Sequence, residues 1–84
     1  MNTEFFDDPI SVTCSIDEQG HTNLQSLTWR RTQYTIVAVG RQWNEETGHR
    51  VMAEAADGTR FELELRREDL IWRINKVWRA QILV

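Results

Sequence analysis

Residues 28–45 constrain the fold more than any other stretch, because they hold two runs typical of β-strands around a short polar turn. The second run is rich in β-branched residues and is apolar on both faces. Its faces carry Tyr34, Ile36 and Ala38 on one side and Thr35, Val37 and Val39 on the other. A strand of this kind belongs in the centre of a sheet, or inside a closed one. Gly40 then interrupts the run before Trp43, as expected at a bulge or sharp bend.

Period-two alternation predicts three further strands. The first follows Pro9 and places Ile10, Val12, Cys14 and Ile16 on its buried face. The second spans residues 49–56, with Val51, Ala53 and Ala55 inward. The third follows Asp57-Gly58, which predicts a type I′ hairpin turn; it places Phe61, Leu63 and Leu65 inward and Glu62 and Glu64 on the solvated face.

The last third of the chain fits two patterns. Leu70, Trp72 and Ile74 alternate as in a strand, whereas a helical stripe runs through Leu70, Ile71, Ile74, Val77, Trp78 and Ile82. The periodicity alone does not choose between them. Residues 1–8 are predicted to be a flexible arm and residues 9–84 a single domain, with the structure of residues 79–84 left open.

Composition limits the class of protein. An 84-residue chain removes only about 60% of its unfolded surface from water, so its aromatic side chains are expected to fill the core. The single cysteine, the lack of a secretory signal and the short apolar runs predict a cytoplasmic protein outside the membrane. The net charge is −3, which does not favour a general nucleic-acid binder. However, nine of the ten basic residues are arginines, so a local basic face remains an alternative.

No constellation predicts catalysis. Cys14, His21 and His49 are isolated, so no metal site is expected. The chain has no phosphate-binding glycine loop and no nucleophile motif, which predicts no cofactor and no enzymatic activity.

Arginines beside tryptophans are the remaining candidates for binding. Arginine next to an aromatic platform is typical of single-stranded nucleic-acid sites, although arginine alternating with glutamate also solubilises a small sheet. The candidate contacts for a partner or nucleic acid are Arg30, Arg41, Trp43, Arg60 and Arg73.

Several short aromatic and turn motifs of this chain resemble those of a small bacterial domain family of unknown function. They are residues 8–12 (DPISV), residues 28–31 (TWRR) with Tyr34 and Ile36, residues 41–43 (RQW), Asp57-Gly58 with residues 61–63 (FEL), and Trp72, Ile74, Val77 and Trp78. Members of that family occur alone, and also next to or fused behind Y-family (translesion) DNA polymerase-like proteins. The family usually has a glycine in the turn after the first tryptophan, where this chain has Arg31 or Thr32.

The resemblance implies that the Trp72 segment is a closing strand and that the protein is a non-catalytic accessory in DNA repair. With it, the predicted fold is all-β: a small antiparallel meander of about six strands forming an SH3-like barrel or roll. The alternative is an α+β fold with a C-terminal helix from about residue 69. The predicted function is an interaction module for a protein partner, with single-stranded nucleic-acid binding through an Arg/Trp face as the alternative. The oligomeric state stays open.

Overall fold

The computed structural model describes residues 2–80, and these residues form seven β-strands. The strands are β1 (Thr3–Pro9), β2 (Ser11–Ile16), β3 (Thr22–Trp29), β4 (Thr32–Glu45), β5 (Gly48–Ala55), β6 (Arg60–Arg66) and β7 (Trp72–Trp78). The all-β prediction is confirmed. Because residues 72–78 form a strand and residues 2–80 contain no helix, the alternative with a helix from about residue 69 is wrong for this part of the chain. Residues 81–84 of the open C-terminal segment lie outside the described residues.

The strands form one antiparallel meander that is rolled up. Their order in the sheet is β1-β7-β6-β5-β4-β3-β2, so β1 and β2 stand at opposite ends although only Ile10 separates them in the chain. The sheet must therefore curl until its two ends meet at Ile10, whose N–H donates to the Trp72 carbonyl oxygen at 3.0 Å. Since β1 and β2 are not paired with each other, the architecture is a small open roll and not a closed barrel.

The core fills the inside of this roll. Its buried apolar residues are Leu24, Leu27, Trp29, Ile36, Val51, Ala53, Ala55, Phe61, Leu63, Ile74 and Val77. The Phe61 ring lies at the centre and packs edge-on against Tyr34, with the ring centroids 5.1 Å apart, and against Trp29 at 6.3 Å. The inward positions predicted for β5 and for the start of β6 are confirmed. Of the four tryptophans, Trp29 is buried and the other three are partly buried.

Residues 1–8 are predicted to be a flexible arm, but the structure differs because Thr3–Pro9 pairs with β7 as strand β1. Two contacts to the β3–β4 turn explain this. Phe6 packs against Trp29 with ring centroids 4.9 Å apart, and Asp8 Oδ2 accepts hydrogen bonds from the Trp29 indole at 2.9 Å and from Arg30 Nε at 3.0 Å. The indole hydrogen bond and the Arg30 charge hold the pKa of Asp8 below its ordinary value.

Strand β2 also differs from its prediction. Ile10 and Val12 pack against the core, but Cys14 is exposed and Ile16 is 69% exposed. The register with β3 shifts between Thr13 and Cys14, so the strict alternation of the sequence no longer holds beyond that point. The distal half of β2 therefore extends past the core instead of covering it.

The type I′ geometry that the sequence predicts for Asp57-Gly58 occurs at a different hairpin turn. The Asp57-Gly58 hairpin is present, but only Gly58 has positive φ (+90°), and the Gly58 N–H donates to Ala55 as in a type I turn followed by a bulge. The type I′ turn lies instead at Arg30-Arg31, where both residues have positive φ, 50° and 68°. Such φ values are unfavourable for residues that carry a Cβ, so this turn is strained.

Replacing Arg31 with glycine is expected to stabilise the protein by about 1 kcal/mol, because glycine adopts positive φ without the Cβ clash. Urea denaturation followed by tryptophan fluorescence measures the change. Arg31→Ala is the matched control, since it removes the same exposed charge and keeps the Cβ. If alanine stabilises as much as glycine does, charge and not backbone strain is responsible.

Candidate functional site

Strand β4 has two halves with different neighbours. Residues 32–35 pair with β3, whereas the recorded pairings of residues 36–45 are with β5 alone. Within residues 2–80, the backbone of residues 36–45 therefore has an unpaired side that faces away from β5, which we call the open edge. The apolar run of residues 34–39 is predicted to lie in the centre of a sheet, with both faces buried. That prediction is wrong for Val37 and Val39, which are 60% and 36% exposed. An edge of this kind offers free N–H and C=O groups to another strand.

Arg41 and Trp43 come together on the open half of β4. The Arg41 guanidinium lies over the Trp43 indole, 4.9 Å from the ring centroid, and the indole N–H donates to Glu45 Oε1 at 3.0 Å. Residues two apart on a strand share a face, and the paired register shifts between Val39 and Gln42, as the glycine interruption predicts. None of the ion pairs among the described residues includes Arg41, so its positive charge is available to a partner.

A groove of about 250 Å³ lies beside this pair on the outer face of the roll. Its lining residues are Ala38, Val39, Gly40, Met52, Ala53, Glu54 and Arg60, and we call it the Gly40 groove. Its surface is mainly apolar, and Arg60 is paired at its rim with Glu54 across 3.0 Å. Of the five predicted contact residues, Arg60 lines the groove, and Arg41 and Trp43 follow Gly40 on the same strand.

The other two predicted contacts lie elsewhere and are already paired. Arg30, in the strained turn, lies 3.0 Å from Asp8 Oδ2, with its guanidinium 5.0 Å from the centroids of the Phe6 and Trp29 rings. Arg73 on β7 lies 3.6 Å from an Asp7 carboxylate oxygen and 3.9 Å from one of Asp69. The acidic residues Asp7 and Asp8 of β1 thus offset part of the positive charge of these two arginines.

Glu62 and Glu64 differ most from their predicted environment. The alternation of β6 places them on the solvated face, yet both are buried, Glu64 to 1% exposure. Glu64 accepts hydrogen bonds from Thr47 Oγ1 at 2.7 Å, Arg50 Nε at 3.0 Å and Arg66 Nε at 2.6 Å. Arg50 also lies 3.8 Å from Glu62, whose buried Oε2 has no hydrogen-bond partner among the described residues. Long arginine side chains lying across the face cover these carboxylates.

This carboxylate cluster is arranged for stability more than for proton transfer. Burial raises the pKa of Glu64, but the hydrogen bonds from Thr47, Arg50 and Arg66 outweigh it and hold the pKa below its ordinary value. A general base near neutral pH needs the opposite shift. The alternation of β6 could not predict that Glu62 and Glu64 are buried. It shows which face of the sheet a side chain is on, but not which other side chains cover that face.

The described residues hold no group of three or more His, Cys, Asp or Glu side chains placed to bind a metal ion. They also contain no helix long and apolar enough to cross a membrane.

The described residues thus form a small all-β roll with an exposed sheet edge beside an apolar groove. No family model, curated protein or solved structure matches the chain.

Proposed function

We propose that this protein is a non-catalytic interaction module that binds an extended segment of a protein partner along the open edge of β4. The observation that supports this most is the ten-residue half-strand 36–45, which is paired on one side only within the described residues. A peptide that adds a strand to such an edge gains main-chain hydrogen bonds, while pockets for alternate side chains supply specificity. The Gly40 groove and the Arg41–Trp43 pair lie where such side chains project.

Binding of single-stranded nucleic acid is the second candidate, and the unpaired Arg41 over Trp43 is the observation in its favour. Two features favour the protein partner instead. None of the four tryptophans is fully exposed, and one face of the Trp43 ring already carries the Arg41 guanidinium, so a row of stacking platforms is lacking among the described residues. Arg30, Arg60 and Arg73 are each paired with a carboxylate.

The resemblance to a family associated with translesion polymerase-like proteins suggests the partner to test first. We propose that the bound segment belongs to a protein of a DNA repair assembly.

Strand addition makes a specific prediction for peptides selected on the immobilised protein from a display library of random ten-residue sequences. Successive N–H groups of a strand point to opposite sides, so N-methylation of every second residue blocks the bonds to β4 in one pattern only. We expect one alternating pattern to abolish binding, measured by isothermal titration calorimetry, and the complementary pattern to leave it within a few-fold.

Equal sensitivity to both patterns, or to neither, contradicts strand addition. The nucleic-acid alternative is tested in parallel with a ten-nucleotide single strand. Tryptophan fluorescence that is quenched by the oligonucleotide, with an affinity that falls steeply as salt is raised, supports that alternative through counterion release. No response at low salt removes it.

A further inference from the structure

Gly40 lies in the bulge of β4, but it is the one glycine of the chain at which neither a left-handed φ nor close packing excludes a side chain. Gly20 and Gly58 have φ of +84° and +90°, and a Cβ at Gly48 would collide with the Leu65 carbonyl oxygen. Gly40 has no such φ, and the nearest atom to a Cβ built there is Met52 Cβ, at an ordinary contact distance of 3.7 Å. A glycine inside a strand costs stability and commonly marks either a bulge or the close approach of a ligand. Because the β4 bulge leaves room for a side chain at this position, close approach of a ligand is the reason that remains.

The missing side chain at Gly40 opens the Gly40 groove. A Cβ at this position would point toward Met52, so a larger residue would fill the space above the half-buried Met52 side chain. The groove measures about 250 Å³, which is below the size of ordinary small-molecule pockets, about 300–1,000 Å³. A volume of this size suits a single side chain of a bound peptide better than a cofactor.

The groove is within reach of a strand added at the open edge. Ala38 is paired with Glu54, and Gly40 faces Met52, so both small residues lie on the outer face that the groove occupies. Side chains on adjacent strands stand about 4.5–5.5 Å apart. Because Ala38 and Gly40 present only a methyl group and a hydrogen, a large side chain on the added strand can lean across β4 to Met52.

We propose that the Gly40 groove is the specificity pocket of this module and receives one large apolar side chain of the partner strand, next to an acidic residue that pairs with Arg41. The proposal rests on the strand addition proposed above. The acidic residue follows from charge: Arg60 at the rim is neutralised by Glu54, whereas Arg41 has no ion-pair partner among the described residues.

A partner protein fits this edge better than a second copy of the chain. Each copy carries a net charge of −3. Antiparallel pairing of two copies about Gly40 and Arg41 would also bring two Arg41 guanidinium groups side by side, which is unfavourable.

The test compares Gly40→Val with Thr35→Val, which places the same apolar side chain at an exposed position of β4 outside the groove, where threonine already has the branched shape. For peptides selected on the wild-type protein, Gly40→Val is expected to weaken binding at least tenfold in calorimetry, and Thr35→Val less than twofold. Valine is favoured in strands, so the melting temperature of Gly40→Val should equal or exceed that of the wild type. A measured melting temperature at or above that of the wild type excludes unfolding as the cause of any loss of binding.

The peptide supplies the second half of the test. Replacing its large apolar residue with alanine should weaken binding to the wild-type protein at least tenfold and should have little further effect on Gly40→Val, since coupled sites are not additive. Arg41→Gln should weaken the selected peptide several-fold but not a peptide whose acidic residue is made neutral.

The outcomes separate the two proposals. If alternate N-methylation still distinguishes the two patterns but Gly40→Val binds within twofold of the wild type, the pocket assignment is overturned and strand addition stands. If the two N-methylation patterns weaken binding equally, or not at all, both the strand addition and the pocket assignment are overturned. A dimer that analytical ultracentrifugation detects for the wild type but not for Gly40→Val would place a second copy at the open edge and would also overturn the assignment of the partner.

Discussion

Phe61→Ala is expected to lower the free energy of unfolding by about 4 kcal/mol, because it empties the centre of the core. The Phe61 side chain is completely buried and makes edge-on contacts with Tyr34 and Trp29. Truncation removes its transfer free energy and leaves a cavity that a rolled sheet closes only in part. Urea denaturation followed by circular dichroism measures the change.

Phe5→Ala provides the matched control. Phe5 has the same side chain, but it is 72% exposed on β1, where Lys76 lies 5.7 Å from its ring centroid. Its replacement should change the stability by about 0.5 kcal/mol or less, as at ordinary surface positions. A loss at Phe61 no greater than the loss at Phe5 would contradict the assignment of Phe61 to the centre of the core.

Glu64→Gln is expected to destabilise the protein by about 3 kcal/mol, because it removes the buried charge that Arg50 and Arg66 both contact. The two guanidinium groups then keep only Glu62, at 3.8 Å, and the exposed Asp7, at 2.9 Å. In a domain of this size the melting temperature should fall by more than about 10 °C. The control is Glu54→Gln, which breaks the ion pair with the exposed Arg60 and should cost about 1 kcal/mol or less. Equal losses in the two variants would mean that burial of Glu64 has no energetic consequence.

The same carboxylate predicts how stability depends on pH. Because the pKa of Glu64 in the folded protein is below its ordinary value of 4.5, ionised Glu64 stabilises the fold above about pH 4.5. This stabilisation is lost as the pH falls through the lowered pKa of the folded state. Unfolding free energies measured from pH 6 downward should therefore fall less steeply below pH 4.5 in Glu64→Gln than in the wild type.

Much of the fold follows from local sequence. The alternation of residues 49–56 and 60–66 and the Asp57-Gly58 turn predict the β5–β6 hairpin and its inward side chains, which the structure confirms. The turn itself has another geometry, because the Asp57 side chain accepts a hydrogen bond from the Thr59 N–H instead of Asp57 adopting positive φ. Periodicity reports which residues share a face, and it does so without knowledge of the rest of the chain.

The candidate site was predictable only in its parts. The interruption at Gly40 and the pairing of Arg41 with Trp43 are visible in sequence, since residues two apart on a strand share a face. The open edge is not visible, because it exists only where β3 leaves β4 and continues its pairing with β2. An apolar run typical of a central strand thus becomes, in its second half, an exposed edge with Val37 and Val39 in contact with solvent.

The sequence alone determined that this chain forms antiparallel strands around an aromatic and aliphatic core, because side-chain alternation and turn chemistry act over a few residues. Tertiary structure decided which segments lie at an edge and which charges are covered. Strand β1 forms because Asp8 meets Trp29 and Asp7 meets Arg66, residues 21 and 59 positions apart. Glu64 is buried because arginines from two different strands close over it. Such contacts form only because the rolled sheet brings together residues that are far apart in the sequence. Local sequence patterns carry no information about which distant residues will meet.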